Sequence, residues 1–224
     1  MNAQRRHPRS GSVSDFIDDG SEVGKGRLET LTDGVFAISM TLLVLGLHVT
    51  NLSSELSVHG PTVALLGQWP NLAAYALSFA ILGQYWVSTH NQFRFMRRAD
   101  HWLLWLNIIY LFFISLVAFS ADLLGRFGPG EPVVVVYGLN FFPLSAIQLG
   151  MWAWATRERH LVDVDLPDST IRQGFVLPLI GVVGYGLAAL IGPFAPFAAG
   201  VLFVLIPILN ISTLGHRFVA RVWA

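Results

Sequence analysis

RLETLTDGVFAISMTLLVLGLHV, residues 27–49, decides the fold. It is long and apolar enough to cross a bilayer, which takes ~20 predominantly apolar residues in a helix. Yet it opens with Arg27, Glu29 and Asp33, three charges that hydrocarbon rejects unless they reach water or find partners.

The rest of the chain repeats the apolar half of that pattern. Of 224 residues, 54% are hydrophobic and 12% charged, with mean hydropathy +0.57. One globular core of this length cannot bury that much apolar surface, so the surplus faces lipid. Six stretches approach spanning length, at about 30–49, 71–93, 102–125, 132–155, 174–192 and 196–215. They predict an all-α polytopic membrane protein with six transmembrane helices and no soluble domain. Residues 1–26 are polar, lack the apolar core of a signal peptide, and read as a flexible cytoplasmic tail ahead of a membrane domain over 27–224. There is no cysteine, which excludes disulfides, thiolate metal sites and cysteine nucleophiles. No other catalytic set or metal-ligand cluster stands at workable spacing, so no enzyme, metal or cofactor is expected. With 14 basic and 14 acidic residues, nothing points to a nucleic-acid partner.

The connections alternate in charge. Those after the first, third and fifth stretches carry one basic residue together, Arg126. The other 13 of 14 lie before the first stretch (Arg5, Arg6, Arg9, Lys25, Arg27), after the second (Arg94, Arg97, Arg98), after the fourth (Arg157, Arg159, Arg172) and at the end (Arg217, Arg221). The positive-inside rule then places both termini in the cytoplasm, in the cell (plasma) membrane, and requires an even number of crossings. Trp69, Trp102, Trp105, Trp152, Trp154 and Trp223 fall near helix ends, where they read as an interfacial belt. RERHLVDVDLPDST, residues 157–170, is the one sizeable polar loop.

On this topology Asp33 lies about a turn and a half inside the cytoplasmic end of the first helix and needs a partner. Arg27 is six residues away, roughly 240° around the helix, so a direct pair would need unwinding or a third group. The second helix runs the other way, and QYWVSTHNQF brings Trp86 and His90 to the same depth. These charges therefore read as a polar clasp between the inner ends of two helices. Asp122 and His48, near the outer ends, are expected to face water.

Beyond the clasp, Ile38, Leu42, Leu45 and Val49 form one stripe, with Thr41 bordering it. On an all-apolar helix such a stripe is uninformative by itself. VVGYGL, residues 182–187, looks like a carbonyl-lined potassium filter but follows a cytoplasmic loop and lacks the threonine, so Gly181 and Gly184 read as close-packing positions.

RLETLTDGVFAI, QYWVSTHNQF and DHWLLWLN together resemble the transmembrane protein 175 family of endolysosomal potassium channels, in its six-helix prokaryotic form. Arg27, Thr32 and Asp33 stand on that family's Arg, Ser and Asp positions, with Leu31 where phenylalanine is usual. Trp86, His90 and Phe93 match the second helix, with Thr89 in place of a first histidine. The resemblance implies a homotetrameric channel domain over 27–224 with the first helix of each subunit lining a central pore. It implies an aliphatic constriction at Ile38, with Leu42 and Leu45 beyond it and Thr41 beside it, supported by a clasp of Arg27, Thr32, Asp33, Trp86 and His90. Potassium would be the permeant ion, through passive, leak-type conduction with at least weak selectivity among monovalent cations. The alternative from another class is a proton-coupled transporter using Asp33, Glu29 and His90, although no internal repeat or broken helix is evident.

Overall fold

The computed structural model describes residues 13–47 and 67–222, with side chains over 24–47 and 67–210 apart from residue 131. Six helices follow in order: α1 (Val13–Leu42), extended by a 3-10 turn over Leu43–Gly46, α2 (Trp69–Phe95), α3 (His101–Phe127), α4 (Glu131–Thr156), α5 (Asp168–Ile191) and α6 (Pro196–Val222). The basic residues at 5, 6 and 9, along with His48, Val49 and Trp223, lie outside the described residues.

Local chemistry sets most helix ends. Pro70 and Pro132 open α2 and α4 in the first turn, where their missing N–H costs nothing. Asp100 caps α3 by accepting from Leu103 N–H at 2.8 Å. Gly128, at φ 68°, closes α3 in a conformation that glycine adopts without strain. The start of α1 is a correction: residues 13–26 continue the helix where the sequence reads as a flexible tail. Extending an existing helix avoids the cost of nucleation.

Four segments are long and apolar enough to span a membrane: Gly24–Gly46, His101–Phe127, Pro132–Arg159 and Asp168–Ile191. The apolar part of α6 described here is shorter, Pro196–Asn210. Although 27 residues long, α2 is diluted by polar residues, of which Ser78, Gln84, Ser88, Thr89 and Gln92 are buried inside the bundle. Ser78 bonds Tyr137 (2.9 Å), Tyr85 bonds Ser145, and Thr89 accepts from Gln148 (2.9 Å). The sequence offset is 59 or 60 in each pair, so α2 and α4 run parallel and in register, with α2 turning its polar side away from lipid. Thr89 also bonds Tyr110 of α3 at 3.0 Å, which makes it a junction of three helices. Membrane proteins satisfy polar atoms in this way because hydrocarbon offers none.

The bundle is centred on α4, packed between α3 and α5. At one edge α1 lies against α3 and α2, and at the other α6 lies chiefly against α5. The VVGYGL segment sits within α5, with Tyr185 fully buried between Phe141 and Phe203, ring centroids 5.3 and 5.8 Å away. A Cβ at Gly181 would collide with Ser145, and one at Gly184 with Ile206. These glycines serve helix packing.

The polar loop after α4 is docked. Arg97 N–H donates to Leu161 C=O at 2.7 Å within an antiparallel bridge of Met96 and Val162, and Arg98 donates to His160 C=O. Glu158 and Arg159 adopt left-handed φ of 51° and 56°, a strained turn that Arg159 holds by bonding Leu166 C=O and Asp168. Two tryptophans placed in the interfacial belt are anchors instead. Trp152 is buried and donates to Ile171 C=O, and Trp154 donates to Asp100 at 2.8 Å.

Burial pushes the Asp100 carboxyl up, but the Leu103 amide, Trp154 indole and His160 ring outweigh it and hold the group below its ordinary value. A carboxyl lowered on folding contributes stability above its unfolded pKa of ~3.9 and loses it as pH falls through the folded value. Asp100→Ala is therefore expected to lower the unfolding temperature at pH 7, with the difference from wild type shrinking below about pH 4. Tryptophan fluorescence during heating in detergent measures both. Gly181→Ala is expected to destabilise strongly, whereas Gly150→Ala, with nothing within 4 Å of its Cβ, leaves the unfolding temperature unchanged.

Candidate functional site

Two faces of α1 differ sharply. Leu28, Thr32, Phe36, Ser39 and Leu43, spaced by three or four, are buried against α2 and α3. On the opposite side Gly34, Ala37, Ile38, Thr41, Leu42 and Leu45 are exposed. Ile38 is 59% exposed and Leu45 63%, against 3% for Leu43. The helix thus presents a continuous, mostly aliphatic stripe that the chain itself leaves uncovered.

Its rotation is fixed ahead of the exposed stripe by two consecutive residues that reach different helices. Asp33 Oδ1 accepts from Trp86 Nε1 of α2 at 2.9 Å. Thr32 Oγ1 accepts from Asn107 Nδ2 of α3 at 2.9 Å and itself donates to Leu28 C=O at 2.8 Å. Neighbouring helical residues diverge by about 100°, so this fork resists rolling of α1 in either direction. His90, one turn from Trp86, packs beside its ring at a 30° tilt, centroids 5.7 Å apart. Around them lies a cleft of about 310 Å³ bordered by Lys25, Glu29, Asp33, Trp86, His90 and Arg94.

Of the residues singled out by sequence, Thr32, Asp33, Trp86 and His90 are brought together. Glu29 pairs with Lys25 at 3.4 Å. Arg27 is exposed, and it forms no ion pair or hydrogen bond among the described residues. Asp122 pairs with Arg126 at 2.8 Å near Gly46. Thr89 borders the same cleft and bonds Tyr110 and Gln148 at the three-helix junction. Asn107 is the residue that sequence reasoning missed. An amide inside the apolar run of α3 was the available signal, since a buried amide in a membrane needs a partner.

An all-α membrane bundle with an uncovered aliphatic stripe on a helix held by an intramembrane carboxylate has the layout of a channel subunit. Residues 27–117 match the family model described as the endosomal/lysosomal potassium channel TMEM175. The chain is 31% identical over 185 residues to a potassium channel of Streptomyces collinus, covering 79% of this chain and 88% of that one. It is 32% identical over 162 residues to the endosomal/lysosomal proton channel TMEM175 of Mus musculus, covering 68% of this chain and 32% of that one. Its fold matches the crystal structure of a lysosomal potassium-selective channel TMEM175 homolog from Chamaesiphon minutus, with TM-score 0.74, 25% identity, and coverage of 85% of this chain and 98% of that one. The chain belongs to the TMEM175 family, whose named members here are ion channels and not enzymes.

Trp86→Phe keeps the ring and removes the donor to Asp33, and Asp33→Asn keeps an acceptor and removes the charge. Both are expected to lower thermal stability in detergent, Trp86→Phe by about 1 kcal/mol, the ordinary net worth of one hydrogen bond. Combined, they should cost less than the sum of the singles, because the two side chains share one interaction. Additive losses would show that the bond does not hold the helices.

Proposed function

We propose that the chain forms a homotetrameric, potassium-selective or weakly selective monovalent cation channel with passive, leak-type conduction. Four copies of α1 surround the pore, with Ile38, Leu42 and Leu45 as the aliphatic constriction and Thr41 beside it. Thr32, Asp33, Trp86 and His90 form the supporting clasp, and Arg27 stands outside it. The channel spans the cell membrane with both termini cytoplasmic, residues 1–26 preceding the channel domain over 27–224, and the bilayer and permeant potassium are its partners.

The observation that carries this reading is the exposure of Ile38 and Leu45 opposite the buried Leu43 on one helix. An apolar ring of this kind slows ions by making them shed water and can close by dewetting. Potassium, the less tightly hydrated ion, crosses such a ring more readily than sodium. The hydroxyl of Thr41 donates to Ile38 C=O at 2.8 Å, which leaves its lone pairs toward the exposed side.

A second reading, proton-coupled transport, draws support from Glu29, Asp33 and His90 bordering one cleft. Sealed vesicles separate the two. Potassium flux without a pH gradient supports the channel, and flux that strictly requires one supports the transporter.

Ile38→Asn places four amides around the axis in the tetramer. The variant is expected to conduct more, with sodium permeability rising toward that of potassium, read as a reversal potential moving toward zero in a potassium/sodium gradient. Leu43→Asn, at a buried position, is expected to impair folding or yield without changing selectivity. A folded Ile38→Asn tetramer with the wild-type reversal potential removes Ile38 from the pore.

A further inference from the structure

On the α6 side of the bundle, away from α1, a groove of about 570 Å³ lies between the first turns of α2, the α3–α4 turn and the start of α6. Its floor belongs to the core: Val134, Tyr137 and Phe203 are at most 2% exposed, whereas Trp69, Phe197 and Val201 on its walls are 40–79% exposed. The space exists because α6 packs chiefly on α5 and only lightly on α2. Ala73 and Gly200 on its walls are too small to fill it, and a Cβ built on Gly200 would meet only Pro129 within 4 Å.

The lining decides what the groove can hold. No charged side chain borders it, and of its two polar side-chain groups the Tyr137 hydroxyl is taken by Ser78 at 2.9 Å. The other is the Trp69 indole at the mouth. A polar ligand therefore finds nothing to bond inside, and water, which needs two to four polar partners, is excluded on the same ground. Left empty, the lining would forfeit its dispersion contacts. The fitting occupant is hydrocarbon, and the groove is continuous with the source of it. Val204, Leu205, Ile208 and Leu209 extend its α6 wall as an exposed, wholly apolar flank of the kind that meets lipid.

Its length fits a lipid tail. From Trp69 to Leu77 the helix rises about 12 Å, close to the ~15 Å of hydrocarbon in one leaflet. Trp69 is the first residue of α2, where an indole suits the headgroup level. We infer that the groove binds one acyl chain of a membrane phospholipid, with the glycerol end at Trp69 and the tail between α2 and α6. The tail completes the packing of α6 on α2, and the site is independent of the proposed pore.

Photo-crosslinking tests this with the full-length protein in phosphatidylcholine nanodiscs doped with phosphatidylcholine that carries a diazirine in one acyl chain. Mass spectrometry locates the adducts. Ala73, Leu77, Val201 and Val204 are expected to be labelled severalfold more than Phe119 and Leu190, which are 59% and 72% exposed on other apolar faces. In Ala73→Phe, which fills the groove from its wall, labelling of Leu77 and Val204 is expected to fall to the level of those two residues. Groove labelling in the wild type no greater than that of Phe119 and Leu190 overturns the proposal whether or not the variant folds, and is the result expected if another part of the chain or a second copy covers the groove. Unchanged labelling in a folded Ala73→Phe overturns it as well.

Discussion

A carboxylate placed inside a membrane edge must be given a donor, and the Asp33–Trp86 bond at 2.9 Å is how this chain does it. Much else follows from that constraint. Trp86 belongs to α2, so α1 and α2 meet there, and Thr32 next door carries the contact to Asn107 of α3. With its roll settled by two bonds in different directions, α1 has one fixed face inward and one fixed face outward. The outward face holds Ile38, Thr41, Leu42 and Leu45.

Fixing α1 would achieve little if α2 were free to move. Along its length α2 is pinned by polar bonds at Ser78, Tyr85 and Thr89 to side chains of α4, in a register of 59 or 60 residues. Each such bond is modest in a membrane, about 0.6 kcal/mol on average where measured by double-mutant cycles, but their spacing prevents sliding as well as separation. At one end of the bundle the docked loop adds Arg97 to Leu161 and Trp154 to Asp100, joining the α2–α3 junction to the end of α4. The pore-helix candidate therefore rests on a scaffold whose polar contacts are nearly all internal.

How much of this was legible in sequence depended on whether the signal was one-dimensional. The six helices were, because length and hydropathy need no partner to be read. The pairing of Asp33 with Trp86 was as well, since an intramembrane charge and an antiparallel neighbour leave few candidates at the right depth. Asn107 was not, because nothing in the sequence says which face of α3 turns toward α1. Nor were the α2–α4 bonds, which depend on two helices far apart in the chain lying parallel. Trp152 and Trp154 read as interfacial by position and proved to be anchors, since distance from a helix end does not distinguish lipid from a docked loop. The start of α1 at Val13 was missed because a polar composition describes solvation and does not exclude a helix propagated from the membrane.

The stripe on α1 shows why the distinction matters for function. Ile38, Leu42 and Leu45 could not be told from any lipid-facing residues by periodicity, since every face of an apolar helix yields a similar stripe. What separates them is the contrast with Leu43, buried on the same helix, together with the polar fork below them. A face that only met lipid would need no defined roll, because hydrocarbon is the same on all sides. Two directional bonds are spent on orienting α1, one of them to a charged group, and that is a reason to look for something directional opposite the buried face. On the proposed function, an axis shared with other copies of the same helix would supply it, and an aliphatic ring around such an axis would be narrow, dry and sensitive to a single side chain repeated in every subunit.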